Sequence, residues 1–198
     1  MQELYLMRHG ETIFNKRQLV QGAVDSPLTK DGIAKAKRVG QFFQKQGVTF
    51  DHAYTSTQER ASDTLELVTK QPYTRLKGLK EWDFGLFEAQ DERLLPKFNF
   101  KDPAEADFFV DYDGESAKQV MERVNQTISK IMAKPDHQRV LIVSHGAAIL
   151  MFLAAWLPFE EIAKQITDMP NCCVLRFTYD NDRFTYQGLF DVDQSANN

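Results

Sequence analysis

Cysteine is nearly absent from this chain: two in 198 residues, and those two, Cys172 and Cys173, are neighbours. Adjacent cysteines rarely meet disulfide geometry, and the pair lacks the spacing of a zinc site, so no thiol framework is expected. Both read as buried side chains of a strand. No apolar run is long enough to span a membrane. The start, MQELYLMRHGE, lacks the basic segment, apolar stretch and small-residue cleavage site of a signal peptide. Together these absences predict a cytoplasmic protein. An excess of either charge is missing too. A net charge of -4, from 24 Lys and Arg against 28 Asp and Glu, predicts neither a nucleic-acid nor a membrane partner. A chain of this sign that handles an anion must gather positive charge locally, so well-placed Arg and His residues become informative. There is no repeat, low-complexity tract or linker, and a single domain over residues 1–198 is expected. Only the tail after Asp191, ending DQSANN, reads as frayed.

Short apolar runs alternate with helical patterns. Leu4–Met7, Ala53–Thr55 and Val140–Val143 read as strands, the last as a fully buried one. Thr29 reads as the N-cap of a helix bearing Ile33, Ala36, Val39 and Phe43. Ser56 and Glu59 have the spacing of a capping box for a helix that carries Arg60. Ser116 opens a long helix striped by Ala117, Val120, Met121, Val124, Ile128, Ile131 and Met132, and Gly146 leads into another through Leu153. Cys172–Phe177 and Phe184–Leu189 read as a hairpin around Asn181 and Asp182. The alternation predicts an α/β fold, a three-layer α/β/α sandwich with a mostly parallel mixed sheet and one edge strand antiparallel. The stretch 84–113, rich in aromatics and acids and without clean periodicity, reads as a small cap insertion over the site.

Two segments echo each other. LYLMRHGE and VLIVSHGA each end an apolar strand in His-Gly. Ligands of open α/β sheets bind at the carboxyl ends of strands, so His9 and His145 are expected at one rim, facing each other. Either histidine alone would be unremarkable as a polar residue at a strand end; the matching flanks make them a candidate site. Arg8 precedes His9, and Arg60 falls in the first turn of a helix whose N-terminal N–H groups favour an anion. Two guanidiniums aimed at one point suit phosphate. The plainer fate for Arg60 is an ion pair with Glu59 or Asp63. His52 and His137 are expected to have no catalytic part.

The string Arg8-His9-Gly10-Glu11-Thr12 with Asn15 resembles the signature of the histidine phosphatase superfamily, the phosphoglycerate mutase-like proteins. Gln21-Gly22, Ser26-Pro27-Leu28-Thr29 with Gly32, Arg60-Ala61 with Thr64, Leu79 with Glu81, Gly114-Glu115-Ser116 and Ser144-His145-Gly146 follow in order. The resemblance implies that His9 is the nucleophile and becomes a phosphohistidine. It implies a phosphate pocket of Arg8, Arg60 and His145, and Glu81 as the acid that protonates the leaving oxygen. Asn15 would support the pocket, with Gln21, Gly22 and Gly146 on the substrate side. Asp83, Glu88 and Glu11 lie near Glu81 in sequence and compete for the acid's role.

Two Arg and a His supply enough charge for phosphoryl transfer that no metal or cofactor is demanded. Where the cofactor-dependent mutases have a form like ERHYG, this chain reads Glu81-Trp82-Asp83-Phe84-Gly85, lacking the basic residue that would grip a carboxylated sugar phosphate. A phosphatase acting on a small phosphorylated substrate is therefore expected ahead of a mutase. Phe14, Trp82, Phe84 and Phe87 would suit an apolar or aromatic leaving group, or form the core beneath the cap. Two further alternatives are a zinc hydrolase using His9, His145 and Glu81, which the neighbouring Arg8 and Arg60 disfavour, and a catalytically silent phospho-ligand binder. Substrate choice is assigned to 84–113, and the oligomeric state is left open.

Overall fold

The computed structural model describes residues 1–95, 107–166 and 168–193. The elements in chain order are β1 (Gln2–Arg8), α1 (Ile13–Arg17), α2 (Lys30–Lys45), β2 (His52–Ser56), α3 (Glu59–Val68), β3 (Tyr73–Leu76), α4 (Ala117–Met132), β4 (Arg139–Ser144), α5 (Gly146–Ala154), α6 (Phe159–Gln165), β5 (Val174–Asp180) and β6 (Arg183–Phe190). The strands form one sheet in the order β3-β2-β4-β1-β5-β6. Pairing is parallel from β3 to β1 and antiparallel across β1–β5 and β5–β6, so the hairpin at one edge supplies the antiparallel part.

Alternation along the strands builds three layers. Leu4, Leu6, Val140 and Ile142 pack on one face with α4 and α5, while Tyr5, Met7, Leu141 and Val143 pack on the other with α2 and α3. Both faces are covered, which is why the central strands read as unbroken apolar runs. Each long helix turns its stripe inward: Gly32, Ala36, Val39 and Phe43 in α2, and Ala117, Val120, Val124, Ile128, Ile131 and Met132 in α4, with Met121 half-buried at its margin. Thr29 caps α2 by accepting Gly32 N–H, and Ser116 opens α4 in a capping box with Gln119.

Three expectations need correction. The capping box at Ser56 and Glu59 does not form: Ser56 is the last residue of β2, still paired with Leu76, and Glu59 is already the first helical residue of α3. Asp25, from a distant loop, accepts the Glu59 N–H at 2.5 Å instead. Cys172 and Cys173 are fully buried but precede β5, because Cys172 turns through φ 65° before the strand begins. The tail is tied further than expected: Lys35 reaches Asp191 at 2.9 Å and Asp193 at 3.1 Å, and Arg38 reaches Asp193 at 2.7 Å. Residues 194–198 lie outside the described residues, as do 96–106 of the stretch expected to form a cap. The described part of the stretch 84–113 consists of short 3-10 turns stitched to residues 18–20, with Val20 donating to Gln90 O, Ala89 to Val20 O and Glu92 to Gln18 O. Among the described residues no helix is long and apolar enough to cross a membrane.

Candidate active site

The echo of the two His-Gly segments has a structural cause. Parallel β1 and β4 pair in register from Leu4↔Val140 to Arg8↔Ser144, so the next residues, His9 and His145, come side by side at the carboxyl rim. Their ring centroids are 5.2 Å apart. His9 Nδ1 lies 2.7 Å from the Gly10 carbonyl, which can only accept, so the ring proton sits on Nδ1 and Nε2 keeps its lone pair. Burial, then the Arg60 and Arg8 charges, push the His9 pKa well below its ordinary value. The result is a neutral imidazole with a free ring nitrogen beside two guanidiniums.

His145 is fully buried, and its pKa too is driven well below the ordinary value, chiefly by burial and then by Arg60. Its Nε2 is 2.7 Å from Ser56 Oγ. Ser56 Oγ accepts the Gln58 N–H and carries one proton of its own that it can donate to Nε2. In that tautomer the imidazole proton sits on Nδ1, which has no partner.

Arg60, also fully buried, is held by the loop opposite. Its Nη1 donates to Val24 O at 2.9 Å and Asp25 Oδ1 at 3.0 Å, and its Nη2 to Gly22 O at 2.9 Å. The ion pair is with Asp25, not Glu59 or Asp63, because the side chain turns under the site instead of out to water. Arg8 Nη1 donates to Met169 O at 2.5 Å. Among the described residues, Arg8 Nε, Arg60 Nε, Gln21 Nε2 and His145 Nδ1 are all buried donors without a partner. A buried N–H left unpaired costs about 1–3 kcal/mol, so these donors, with the Arg60 and Arg8 charges acting on His9, suit the seating of an anion with several acceptor oxygens.

Glu81 faces this seat from the other side. Its carboxylate accepts N–H bonds from Ala147 at 3.1 Å, Ala148 at 2.8 Å and Trp82 at 2.9 Å, clasping the N-terminus of α5. Its backbone is fixed as well, the N–H by Gln58 Oε1 at 2.9 Å and the carbonyl by Arg123 at 2.8 Å. Its three competitors are engaged elsewhere. Glu11 accepts from Thr29 Oγ1, Asp83 from Gly85 N–H, and Glu88 from the N–H groups of Gly22, Ala23, Val24 and Phe84. Protein carboxylates also occupy both helix N-termini at this rim, Asp25 on α3 and Glu81 on α5. The expectation that α3 offers free N–H groups to an anion is therefore not met.

A cavity of about 810 Å³ opens onto the seat and is lined by Arg8, His9, Asn15, Gln21, Glu81 and Gly146 at its inner end. Gln21 Oε1 accepts from Thr12 Oγ1, which leaves its buried Nε2 as the unpaired end, and Asn15 Oδ1 accepts from Thr12 N–H and Asn171. Arg60 and His145, both fully buried, do not line the cavity, and neither does Gly22. At Gly22 a Cβ would come 2.1 Å from Trp82 O and 2.3 Å from Glu88 Oε1. Of the four aromatics singled out, only Phe84 lines the cavity; Trp82 stacks beneath Phe84, and Phe87 packs on Phe109. The zinc alternative lacks its geometry. Among the described residues the only cluster of potential ligand atoms is His52, Asp136 and His137, near the opposite end of β2, where the imidazoles lie face to face with centroids 3.6 Å apart.

The sequence reading missed Ser56, Gln58 and Asp25, each an isolated polar residue whose role depends on a distant partner. It also missed the outer wall of the cavity from α5 to Met169, although Phe159, Ile162 and Ile166 stand at helical spacing.

A buried histidine pair at the ends of adjacent parallel strands, accompanied by unpaired donors and faced by a carboxylate, defines a phosphoryl-transfer class of α/β protein. The chain belongs to the histidine phosphatase superfamily (branch 1), whose sequence model matches residues 4–192. It is 31% identical over 187 residues to "Probable phosphoglycerate mutase GpmB" of Citrobacter koseri, covering 90% of this chain and 86% of that one. Among solved structures it resembles a phosphoglycerate mutase of Bacillus anthracis, with a TM-score of 0.83, 26% identity and coverage of 98% and 95%. It also resembles the alpha-ribazole phosphatase of Shigella flexneri, with a TM-score of 0.77, 27% identity and coverage of 94% and 95%. Members of this superfamily transfer phosphoryl groups as mutases or as phosphatases.

Proposed function

We propose that this chain is a metal-independent phosphatase that hydrolyses a phosphomonoester through a phosphohistidine on His9. The observation that carries this is a neutral His9 imidazole with Nε2 free, acted on by the Arg60 and Arg8 charges and accompanied by unpaired buried donors. In the first step Nε2 attacks phosphorus in line, the P–O bond to the alcohol breaks, and the departing oxygen takes a proton from Glu81. In the second step water attacks the phosphohistidine and gives its proton to Glu81. The N–P bond then breaks, the electron pair returns to Nε2 and phosphate leaves. Arg8, Arg60 and His145 would hold the equatorial oxygens, where charge is greatest during transfer. Gln21 would donate from its unpaired amide, Asn15 would brace the pocket, and Gly146 would leave room beside Arg8.

Hydrolysis is favoured over mutase chemistry by the rest of the cavity. Among its described lining residues Arg8 is the one cation, while Glu92 and Asp168 are acidic and most others are apolar. A carboxylated sugar phosphate would find no second cation among those described residues. The mutase alternative rests on the names of relatives such as the Citrobacter koseri protein.

The test is hydrolysis of p-nitrophenyl phosphate by wild type and His9→Ala, with and without EDTA. Expected is nitrophenol release that survives EDTA and falls by at least about 10⁴-fold in the variant, as for loss of a covalent nucleophile. Activity lost to EDTA would overturn the mechanism. Silence here, with turnover in a phosphoglycerate mutase assay primed by 2,3-bisphosphoglycerate, would establish the alternative; silence in both would favour a phospho-ligand binder.

A further inference from the structure

Beyond the phosphoryl seat the cavity changes character. Its outer wall is built by Phe84 and Leu95 from the stretch 84–113 and by Leu150, Phe159, Ile162 and Ile166 from α5, α6 and the residue after α6. The volume of about 810 Å³ is that of a pocket for a small organic molecule, well beyond phosphate itself. Among the described residues, the two charged groups added by this outer part, Glu92 and Asp168, are both negative.

Glu92 is the better placed of the two. It begins the turn Glu92–Leu94, which is pinned by the Glu92 N–H to Gln18 O at 2.9 Å and capped by Asp91. Its carboxyl group stands at the cavity mouth within electrostatic reach of Arg8: partial desolvation raises its pKa, and the Arg8 charge opposes that rise. Glu92 and Asp168 are both exposed and screened by water; Glu92 stands apart because the Arg8 charge acts on it. An ester whose leaving group bears a carboxylate or a second phosphate would bring that anion against these carboxylates and an apolar wall. It would lose hydration without gaining a described cation in return. A neutral, apolar leaving group meets neither cost and gains the wall.

We propose that the cavity selects phosphomonoesters of neutral, largely apolar alcohols and rejects those with an anionic leaving group, with Glu92 as the electrostatic determinant. The proposal rests on the phosphatase function above and adds the substrate class. Repulsion of the wrong ligand, as much as attraction of the right one, then sets specificity.

The experiment compares kcat/KM for 1-naphthyl phosphate and 3-phosphoglycerate, followed by phosphate release, in wild type, Glu92→Gln and Glu92→Lys. Expected is a wild-type ratio of about 10² or more in favour of the naphthyl ester. The ratio should fall about fivefold to tenfold in Glu92→Gln and further in Glu92→Lys. The wild-type ratio should also shrink as salt is raised, which a purely structural role of Glu92 would not produce. A wild-type ratio near one, or a ratio that neither variant moves, overturns the proposal while leaving the phosphatase standing. Silence toward both esters and p-nitrophenyl phosphate brings down the phosphatase reading, and the selectivity with it.

Discussion

The two ends of the cavity are built on different principles. At the inner end nearly every polar group is fixed by another: Glu81 by three backbone N–H groups and its own main chain by Gln58 and Arg123, Arg60 by three partners, His9 by Gly10 and His145 by Ser56. These groups sit on strand ends and helix starts that the sheet register aligns. The outer end is an apolar wall from a short helix, irregular segments and 3-10 turns, held by packing and a few main-chain bonds. Chemistry that must stabilise a developing charge needs preorganised dipoles, whereas recognition of an apolar body needs surface of the right shape. If that division holds, substitutions at the inner end change rate and those at the outer end change choice.

The sharpest break in the comparison comes from Glu81→Gln. A phosphate ester of a simple alkyl alcohol needs a proton on its leaving oxygen, so kcat/KM for such an ester should fall by about 10²–10⁴. p-Nitrophenolate leaves without help, so phosphorylation of His9 by p-nitrophenyl phosphate should be nearly spared. The phosphoenzyme then waits on a water that has lost its base. A burst of one nitrophenol per site followed by slow turnover is the expected trace, read by rapid mixing. Equal losses for both esters would mean that Glu81 holds α5 in place without touching the proton.

Legibility in the sequence followed the same division. The seat was readable because its members are rare residue types at fixed distances from strand ends: Arg8-His9-Gly10 and Ser144-His145-Gly146 announce themselves once β1 and β4 are recognised. Glu81 needed the family resemblance to stand ahead of Glu11, Asp83 and Glu88, and only geometry shows those three engaged elsewhere. Asp25 and Gln58 were illegible, since a lone polar residue in a loop gives no sign that a helix N-terminus and an arginine will arrive from 35 residues away. The outer wall was hidden for the opposite reason. Ile162 and Leu150 have the composition and spacing of core residues, and side chains that line a cavity and fill a core are the same in sequence.

The pH dependence separates the two ends by charge. His9 and His145 are held neutral in the folded chain with pKa values well below the ordinary 6.5, burial being the largest cause for each. The acid limb of kcat/KM, corrected for the substrate's own ionisation near pH 6, should therefore fall below pH 6.5. Stability follows with a definite sign. The unfolded chain takes up protons on both imidazoles near 6.5 and the folded chain does not, so this contribution is full above that pH and is lost as pH falls toward the folded values. The Tm of wild type should decline on acidification through this window, and His145→Gln should lose part of that slope. An acid limb at or above 6.5 would mean that the site holds its imidazole as the cation.

The smallest expected effect falls on the wall. Leu150 lies one turn beyond Gly146 on α5, half-buried, with one side on the core and the other lining the cavity. Leu150→Ala removes apolar surface that the leaving group touches equally in the bound ester and in the transition state, a loss of uniform binding that raises KM and leaves kcat less affected. About 1 kcal/mol of lost contact corresponds to a KM roughly fivefold higher for 1-naphthyl phosphate. The core side should add a stability cost of about 2 kcal/mol, visible in urea unfolding, because the cavity left behind is only partly refilled. A small ester such as methyl phosphate, too short to reach the wall, should show almost no change in KM. If instead kcat falls for both esters, Leu150 is positioning α5 and, through the Ala147 and Ala148 N–H groups, the Glu81 carboxylate. The outer wall would then be part of the machinery that sets rate, and the division between the two ends would fail at the helix they share.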